Sequence, residues 1–334
     1  MAEPASSRIR IATFNLENLD VARTAGASLD ARIAVLRPQM DRLNADILCL
    51  QEVNGQYPPD GGPRRLIALD RLLAETAYAG FHRAASTSIH PEHGTRDRHN
   101  LVILSRWPLA DVRQIRHERV APALYRPVTA DPPATAPEPL EWDRPVLSAR
   151  VDLPGGQSLR LFDLHLRAPL AAAIPGQKQA GRWHSVSGWA EGFFMAAVKR
   201  IGQAMATRLE VDRILDTDPD ALICVAGDCN AEEREMPLRT LCADPDDTGM
   251  PELAWRALES LDLRVPDERR FSLRHGGRRL MLDHLLASRR LAAAATHVGI
   301  DNADLADEVA VQRSGEAFAP SLHAPLYADF VLSG

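Results

Sequence analysis

Apolar and polar residues alternate early in the chain, and in RIRIATFNL this puts Ile9, Ile11 and Thr13 on one face of a strand. The period then lengthens. Ile33, Leu36, Met40 and Leu43 recur at helical spacing in DARIAVLRPQMDRLNAD, with Pro38 placed to bend or interrupt the helix. DILCLQEV is a short, nearly continuous apolar run, the pattern of a central strand covered on both faces. NGQYPPDGGPRR is a loop by composition, RRLIALDRLLAETA is helical, and NLVILSRWPL is a strand. Residues 121–145 hold seven prolines, a density that predicts a surface excursion without regular elements. RPVLSARVDLPGGQSLRLFDLHL reads as a hairpin around Pro154, Gly155 and Gly156. An irregular insertion over 167–188, a long helix over 189–216 and a strand ALICVAGD follow. RFSLRHGGRRLMLDHLLAS reads as a hairpin turning at Gly276 and Gly277, and HVGI and LYADFVL end the chain as strands.

Strands mixed with helices and several hairpins exclude a purely parallel, doubly wound sheet. The pattern predicts a four-layered α/β sandwich: two mixed, mostly antiparallel sheets packed face to face, with helices outside. No linker, internal repeat or heptad seam divides it. One domain over 8–332, preceded by a short tail over 1–7, is expected.

The composition narrows the function classes. A hydrophobic content of 45% in 334 residues is enough for a large core. A net charge of -6 and a pI of about 6.0 argue against holding polyanions by overall charge, though a local basic groove stays open. No run of 18 apolar residues occurs, so no membrane span is expected. MAEPASSRIRIATFNLENL lacks a basic-then-apolar signal pattern. Cys49, Cys224, Cys229 and Cys242 form no C-x-x-C pair and read as reduced thiols, which points to the cytoplasm.

Polar residues end the apolar strands repeatedly. Asn15 closes the first strand, Glu52 closes DILCLQE, His165 closes LRLFDLH and Asp228 closes ICVAGD. Asp283 follows RRLML, and His323 precedes the last strand. Taken alone, Asp228 and Asn230 also suit an Asx-turn at a strand end. A buried acid is costly unless it is paired or metal-bound. So many polar strand ends imply a shared location, suited to a hard divalent cation with oxygen ligands and an acid–base pair.

These stretches resemble the motifs of the endonuclease/exonuclease/phosphatase superfamily, the fold of pancreatic deoxyribonuclease and the apurinic endonucleases. ATFNLENL resembles the first motif, with Asn15 and Glu17, and DILCLQEV the metal-binding motif, with Glu52. NLVILSRWPL is similar to the central strand, and DLHL carries the family histidine as His165. GDCNAE matches the G-D-x-N motif, LDHLLAS holds Asp283, and SLHAPL resembles the C-terminal Ser-Asp-His motif. The motifs run in family order over roughly 8–332. One departs from the pattern: Leu322 stands where the family has an aspartate that serves as a metal ligand.

The resemblance implies a metal-dependent phosphoesterase. Glu52 would hold Mg²⁺ or Mn²⁺, assisted by Asn15 and Glu17. Asp228 would align and help deprotonate a water, and Asn230 would donate to the phosphate. Asp283 would fix the tautomer of His323, while His165 would donate from another side. Asn100, Arg98 and Arg167 are candidate substrate contacts; Arg144 reads as structural, and Arg200 and Gln203 as packing or surface groups. The expected partner is a phosphoester, nucleic acid included, with a phosphodiester favoured. An inositol-phosphate type of phosphomonoesterase and a non-catalytic binding module of the same fold are the alternatives. Leu322 supports the binding module and implies one tight metal position.

Overall fold

The computed structural model describes residues 7–332; the expected tail over 1–7 lies outside them except for Ser7, which begins the first strand. In chain order the main elements are β1 (Ser7–Leu19), α1 (Leu29–Leu43), β2 (Ile47–Val53), α2 (Ile67–Leu73), β3 (His82–Ala85) and β4 (Asn100–Ser105). Then come β5 (Leu109–Ile115), β6 (Val146–Asp152), β7 (Ser158–His165), α3 (Val186–Thr217), β8 (Leu222–Asp228) and α4 (Met236–Cys242). The chain ends with β9 (Glu259–Ser260), β10 (Asp283–Ala287), α5 (Arg289–Ala294), β11 (Ala295–Ile300), α6 (Glu308–Ser314) and β12 (Leu326–Leu332).

One sheet has the order β11-β12-β1-β2-β4-β3 and the other β9-β10-β8-β7-β6-β5. Each contains one parallel pair, β1 with β2 and β7 with β8; the other neighbours are antiparallel. The alternation noted in β1 decides which residues enter the seam. Ile9 and Ile11 meet Cys49 and Ile103 of their own sheet and Leu161, Cys224 and Leu285 of the other. Ala12, Phe14 and Leu16 point the opposite way, onto Leu36 and Met40 of α1 and Leu69 and Leu72 of α2. Phe162, Leu164 and Val225 cover the second sheet's outer face against α3 and α4. The expected four layers are present.

Differences from the expected elements are local. Pro38 sits inside an uninterrupted α1, whose entry is capped by Ser28 accepting from Ala31 N at 3.2 Å. The proline-rich excursion is not wholly irregular: Leu124–Tyr125 pairs with Glu138–Pro139. The buried carboxylate of Glu191 on α3 anchors it, accepting from Tyr125 Oη at 2.8 Å and Thr129 N at 2.9 Å. Tertiary anchoring of this kind has no local sequence signature. The insertion after β7 carries a small ribbon, Lys178–Gln179 with Arg182–Trp183, and α3 begins at Val186 rather than 189. The Gly276–Gly277 turn joins Leu273–His275 to Arg278–Leu280, while β10 leaves that ribbon to join the second sheet.

Gly227 sets how closely β7 and β8 approach. Its φ is +139°, and a Cβ there would lie 1.9 Å from the Leu164 carbonyl oxygen. Gly227→Ala is therefore expected to destabilise the fold by on the order of 3 kcal/mol in urea denaturation, combining backbone strain with overpacking. A variant as stable as the natural chain would contradict this close approach.

Candidate active site

Asp228, the last residue of β8, pairs in register with His165 on β7 and with Asp283 on β10. Three ionisable side chains thus stand side by side at one end of three neighbouring inner strands of the second sheet. The first sheet supplies Asn15, which continues the inward face of Ile9, Ile11 and Thr13. Its Nδ2 donates to Asp228 Oδ2 at 2.9 Å and to Glu52 Oε1 at 3.2 Å. One carboxamide therefore joins the two sheets' acids. Just below, Gln51 Nε2 donates to Asp163 Oδ1 at 2.7 Å and Thr13 Oγ1 at 3.0 Å, a second polar link across the seam.

Several loops at the site adopt left-handed backbone. Glu17, Asn18, Glu52, His99 and Asn230 have φ of 48°, 53°, 58°, 55° and 47°. This conformation is uncommon for residues other than glycine and costs about 1–3 kcal/mol each. Each bend has hydrogen bonds to hold it. Asn15 Oδ1 accepts from Glu17 N at 2.8 Å, and Glu52 Oε2 accepts from Asn18 N at 3.0 Å. The fully enclosed guanidinium of Arg32, on α1, donates to the carbonyls of Leu16 at 2.7 Å, Glu17 at 2.8 Å and Ala319 at 3.2 Å. Glu17 Oε2 in turn accepts from Leu322 N at 2.8 Å, and Ser321 Oγ donates to Asn15 O at 2.8 Å. The turn carrying His323 is thereby tied to the exit of β1.

The two site histidines hold opposite charge states. His323 Nδ1 donates to Asp283 Oδ2 at 2.8 Å, and its Nε2 lies 4.0 Å from Asp228 Oδ2. Burial alone would lower its pKa, but the charge and hydrogen bond of Asp283 lift it to about 10, so it is an imidazolium at neutral pH. His165 instead faces Arg144, whose guanidinium donates to Nδ1. Nδ1 must then carry the lone pair and Nε2 the proton. Burial and then the charge of Arg144 push His165 well below the ordinary histidine value, keeping it neutral. Its Nε2–H lies 3.5 Å from Asp228 Oδ2 and 3.7 Å from Glu52 Oε1. Burial, then the negative charge of Asp283, raises Asp228 to about 7. Burial also raises Glu17.

Asn15, Glu17, Glu52, His165, Asp228, Asp283 and His323 thus gather in one place. Asn230 joins them in two capacities: its backbone N–H closes an Asx-turn onto Asp228 Oδ1 at 2.8 Å, and its Nδ2 donates to Leu166 O at 3.1 Å. Asn100 departs from the expected substrate contact. It is fully enclosed, with its carboxamide bonded to Val53 O at 2.9 Å, Arg96 O at 2.8 Å and Arg96 N at 2.8 Å, and so braces the loop bearing His99. Arg98 on that loop is exposed. Arg167 is half-buried and paired with Asp143 at 2.6 Å, and Lys199 reaches the same carboxylate at 3.1 Å.

Sequence reasoning missed three contributors. His99 stacks on His165 with ring centroids 5.8 Å apart, and its Nε2 lies 2.9 Å from Asn18 Oδ1. Its place just before an apolar strand was the available signal. Arg144 touches the site histidine directly, beyond the structural part expected of it. Arg32 had no signal, since its partners lie in distant loops. Arg200 and Gln203 are not simple packing groups either. Arg200 Nη1 donates to Asn230 O at 3.1 Å, and Gln203 Nε2 donates to Arg144 O at 2.9 Å.

The donor chemistry fits a hard divalent cation. Glu52, His165 and Asp228 each offer an atom within 4.8 Å of the others, as do Asp228, Asp283 and His323. The proton on His165 Nε2 and the charge on His323 leave carboxylate and carboxamide oxygens as the available ligands, the set preferred by Mg²⁺ and Mn²⁺. Asp283 Oδ1 is buried without a hydrogen-bond partner among the described residues.

Among solved structures, truncated TDP2 of Caenorhabditis elegans superposes with a TM-score of 0.56 at 16% identity, covering 97% of this chain and 98% of that one. An AP endonuclease from Archaeoglobus fulgidus gives 0.52 at 16% identity, covering 96% and 99%. The 3′ phosphatase NExo from Neisseria, bound to a product DNA hairpin, gives 0.50 at 19% identity, covering 96% and 99%. At such identities the likeness is one of fold. No curated protein matches the sequence. The model of the Endonuclease/Exonuclease/phosphatase family matches residues 12–321, nearly the whole chain, and the protein belongs to that family.

Proposed function

We propose that this protein is a divalent-metal-dependent phosphoesterase that hydrolyses a phosphodiester by in-line attack of water, with Mg²⁺ or Mn²⁺ as cofactor. We read a single unit over residues 8–332 as carrying the activity. The observation behind this reading is the unbroken contact path Glu52–Asn15–Asp228–His323–Asp283, which crosses both sheets. A binding module has no need of a buried acid raised to about 7 beside a histidine raised to about 10. The choice of a diester draws on one of the fold's neighbours, an AP endonuclease. The free cysteines suit a reducing compartment such as the cytoplasm.

Glu52 would hold the cation, with Asn15 and Glu17 assisting directly or through water. Bound there, a divalent ion offsets charge on the phosphoryl oxygens and steadies the departing oxygen. Asp228, at about 7, is near the value that favours taking a proton from water at neutral pH. His323 donates to the phosphate from Nε2 while Asp283 fixes its tautomer. His165 donates its Nε2 proton from another side, and Asn230 offers the Nδ2 hydrogen not given to Leu166. Arg98, exposed on the loop of His99, and Arg167, paired with Asp143, would approach the substrate; Asn100 acts through the loop it braces.

Hydrolysis of bis(p-nitrophenyl) phosphate is expected with Mn²⁺ or Mg²⁺ and to stop with chelator, and Asp228→Asn should lower kcat by about 10²–10⁴-fold. Metal-independent release, or an unaffected variant, would defeat the reading.

Leu322 is buried and engages Glu17 only through its backbone N–H. Calorimetric titration with Mn²⁺ should therefore show one tight site, lost in Glu52→Gln. Two sites of equal affinity would refute this.

The Asp283–His323 pair also sets a pH dependence. Because His323 has a higher pKa in the folded state than in the unfolded chain, its stabilisation is complete below about pH 6.5 and fades as pH rises through about 10. In Asp283→Asn the imidazole midpoint seen by NMR should fall toward the ordinary value. The stability deficit of that variant should be widest at about pH 6.5 and below, and should close as pH rises through about 10. A deficit independent of pH would show that the pair is not charged as described.

A further inference from the structure

A groove of about 330 Å³ opens between the outer face of α3 and the start of α4. That volume lies in the range of small-molecule sites. Most of its walls are apolar: Phe193, Ala197 and Ile201 from α3, Met236 and Pro237 from α4, and Pro169 from the segment after β7; Glu235, paired with Arg200 at 3.4 Å, also lines it. Phe193 and Met236 are 42% and 66% exposed. Large apolar groups gathered around a concavity differ from the singly scattered ones that any surface carries. Phe193 also stacks on Trp189, with centroids 5.6 Å apart and planes 22° apart, which holds the Phe193 ring in the groove wall.

The groove adjoins the loop that carries Asn230. Arg200 lines it, and the same guanidinium donates to the backbone carbonyl of Asn230 at 3.1 Å. Both loops that flank the site also flank the groove. Pro169 follows Leu166, whose carbonyl accepts from Asn230 Nδ2, and the Arg234–Pro237 stretch follows Asn230 itself. Arg234, at the rim, makes no hydrogen bond or ion pair among the described residues. The groove thus runs from an Arg200–Glu235 ion pair of 3.4 Å, joined through Arg200 to the Asn230 backbone, to apolar walls that include Phe193.

We propose that this groove is a subsite for an aromatic substituent of the phosphoester. The ring lies between Phe193 and Met236, and Arg234 is free to meet its face or a polar edge. The assignment rests on the phosphoesterase reading and deepens it: among phosphoesters, those with a flat apolar group a few bonds from phosphorus are preferred.

Inhibition by propylphosphonate and by 3-phenylpropylphosphonate tests this, with Mn²⁺ present and bis(p-nitrophenyl) phosphate as substrate. The phenyl compound should inhibit the natural protein about tenfold more tightly, a typical gain for one well-buried group. In a Phe193→Ser, Met236→Ser variant the advantage should shrink to about twofold or less, with the propylphosphonate constant unchanged. Both side chains are already exposed, so the variant should fold; Ile201→Asp is a second route to the same loss. Equal inhibition by the two compounds in the natural protein, or an advantage that survives both variants, would overturn the subsite. An active enzyme without the preference removes the subsite alone. A natural protein without metal-dependent hydrolysis removes the phosphoesterase reading and the subsite with it.

Discussion

The register of β8 between β7 and β10 is the constraint from which the site follows. Pairing Asp228 with His165 on one side and Asp283 on the other brings together three ionisable groups far apart in the chain. Side chains alternate along a strand, so a slip of one residue would turn Asp228 toward α3 and α4. The slip is opposed by the close approach at Gly227 and by the inward row Leu161, Cys224 and Leu285. Packing of the seam and placement of the polar cluster are one requirement. The first sheet mirrors it, with Asn15 and Glu52 at the ends of its own parallel pair.

Strand geometry alone does not complete the arrangement. Glu52 follows Gln51, which faces the seam, and regular alternation would send its carboxylate away from Asp228. The left-handed turn at Glu52, within a register irregularity between β2 and β4, brings it back. Such a bend survives only where surrounding bonds determine it. Asn18 N, Asn15 Nδ2 and the three carbonyls gathered by Arg32 are those bonds. Arg32 has no direct acidic partner among the described residues. Burial lowers its pKa, while the nearby charge of Glu17 opposes that change. It is a structural cation whose effect reaches the site through backbone alone.

These two layers explain what could be read from the sequence. Alternation in β1, the apolar runs of β2 and β8, and the polar residues that end them follow local rules with a period of two. The four layers and six of the converging residues were accordingly legible, while Glu17 was pointed to only by the family resemblance. The brace of Asn100, the stack of His99 on His165 and the reach of Arg32 to Ala319 depend on loop backbones bent by distant contacts. Nothing within a few residues of those positions reports their partners. Arg144 lies between the two cases. It stands at the start of a predicted strand, but its contact with His165 follows only once β6 and β7 are paired and Gln203 holds its carbonyl.

That contact gives the site a direction. Asp228 has an imidazolium on one flank, held by Asp283, and a neutral imidazole on the other, held by Arg144. Two cationic histidines would leave Asp228 firmly ionised and a weak base; two neutral ones would leave Asp228, Asp283 and Glu52 to repel one another without relief. One of each balances burial and like charge against a single nearby cation, which brings Asp228 to about 7. The same difference sorts the donors. His323 can offer a charged N–H where negative charge is greatest, whereas His165 offers a neutral one and, with Arg144 against Nδ1, cannot easily take a second proton. A proton released near Asp228 therefore has the carboxylate itself as its ready acceptor. Exchanging the partners of the two histidines would reverse that order without moving a strand.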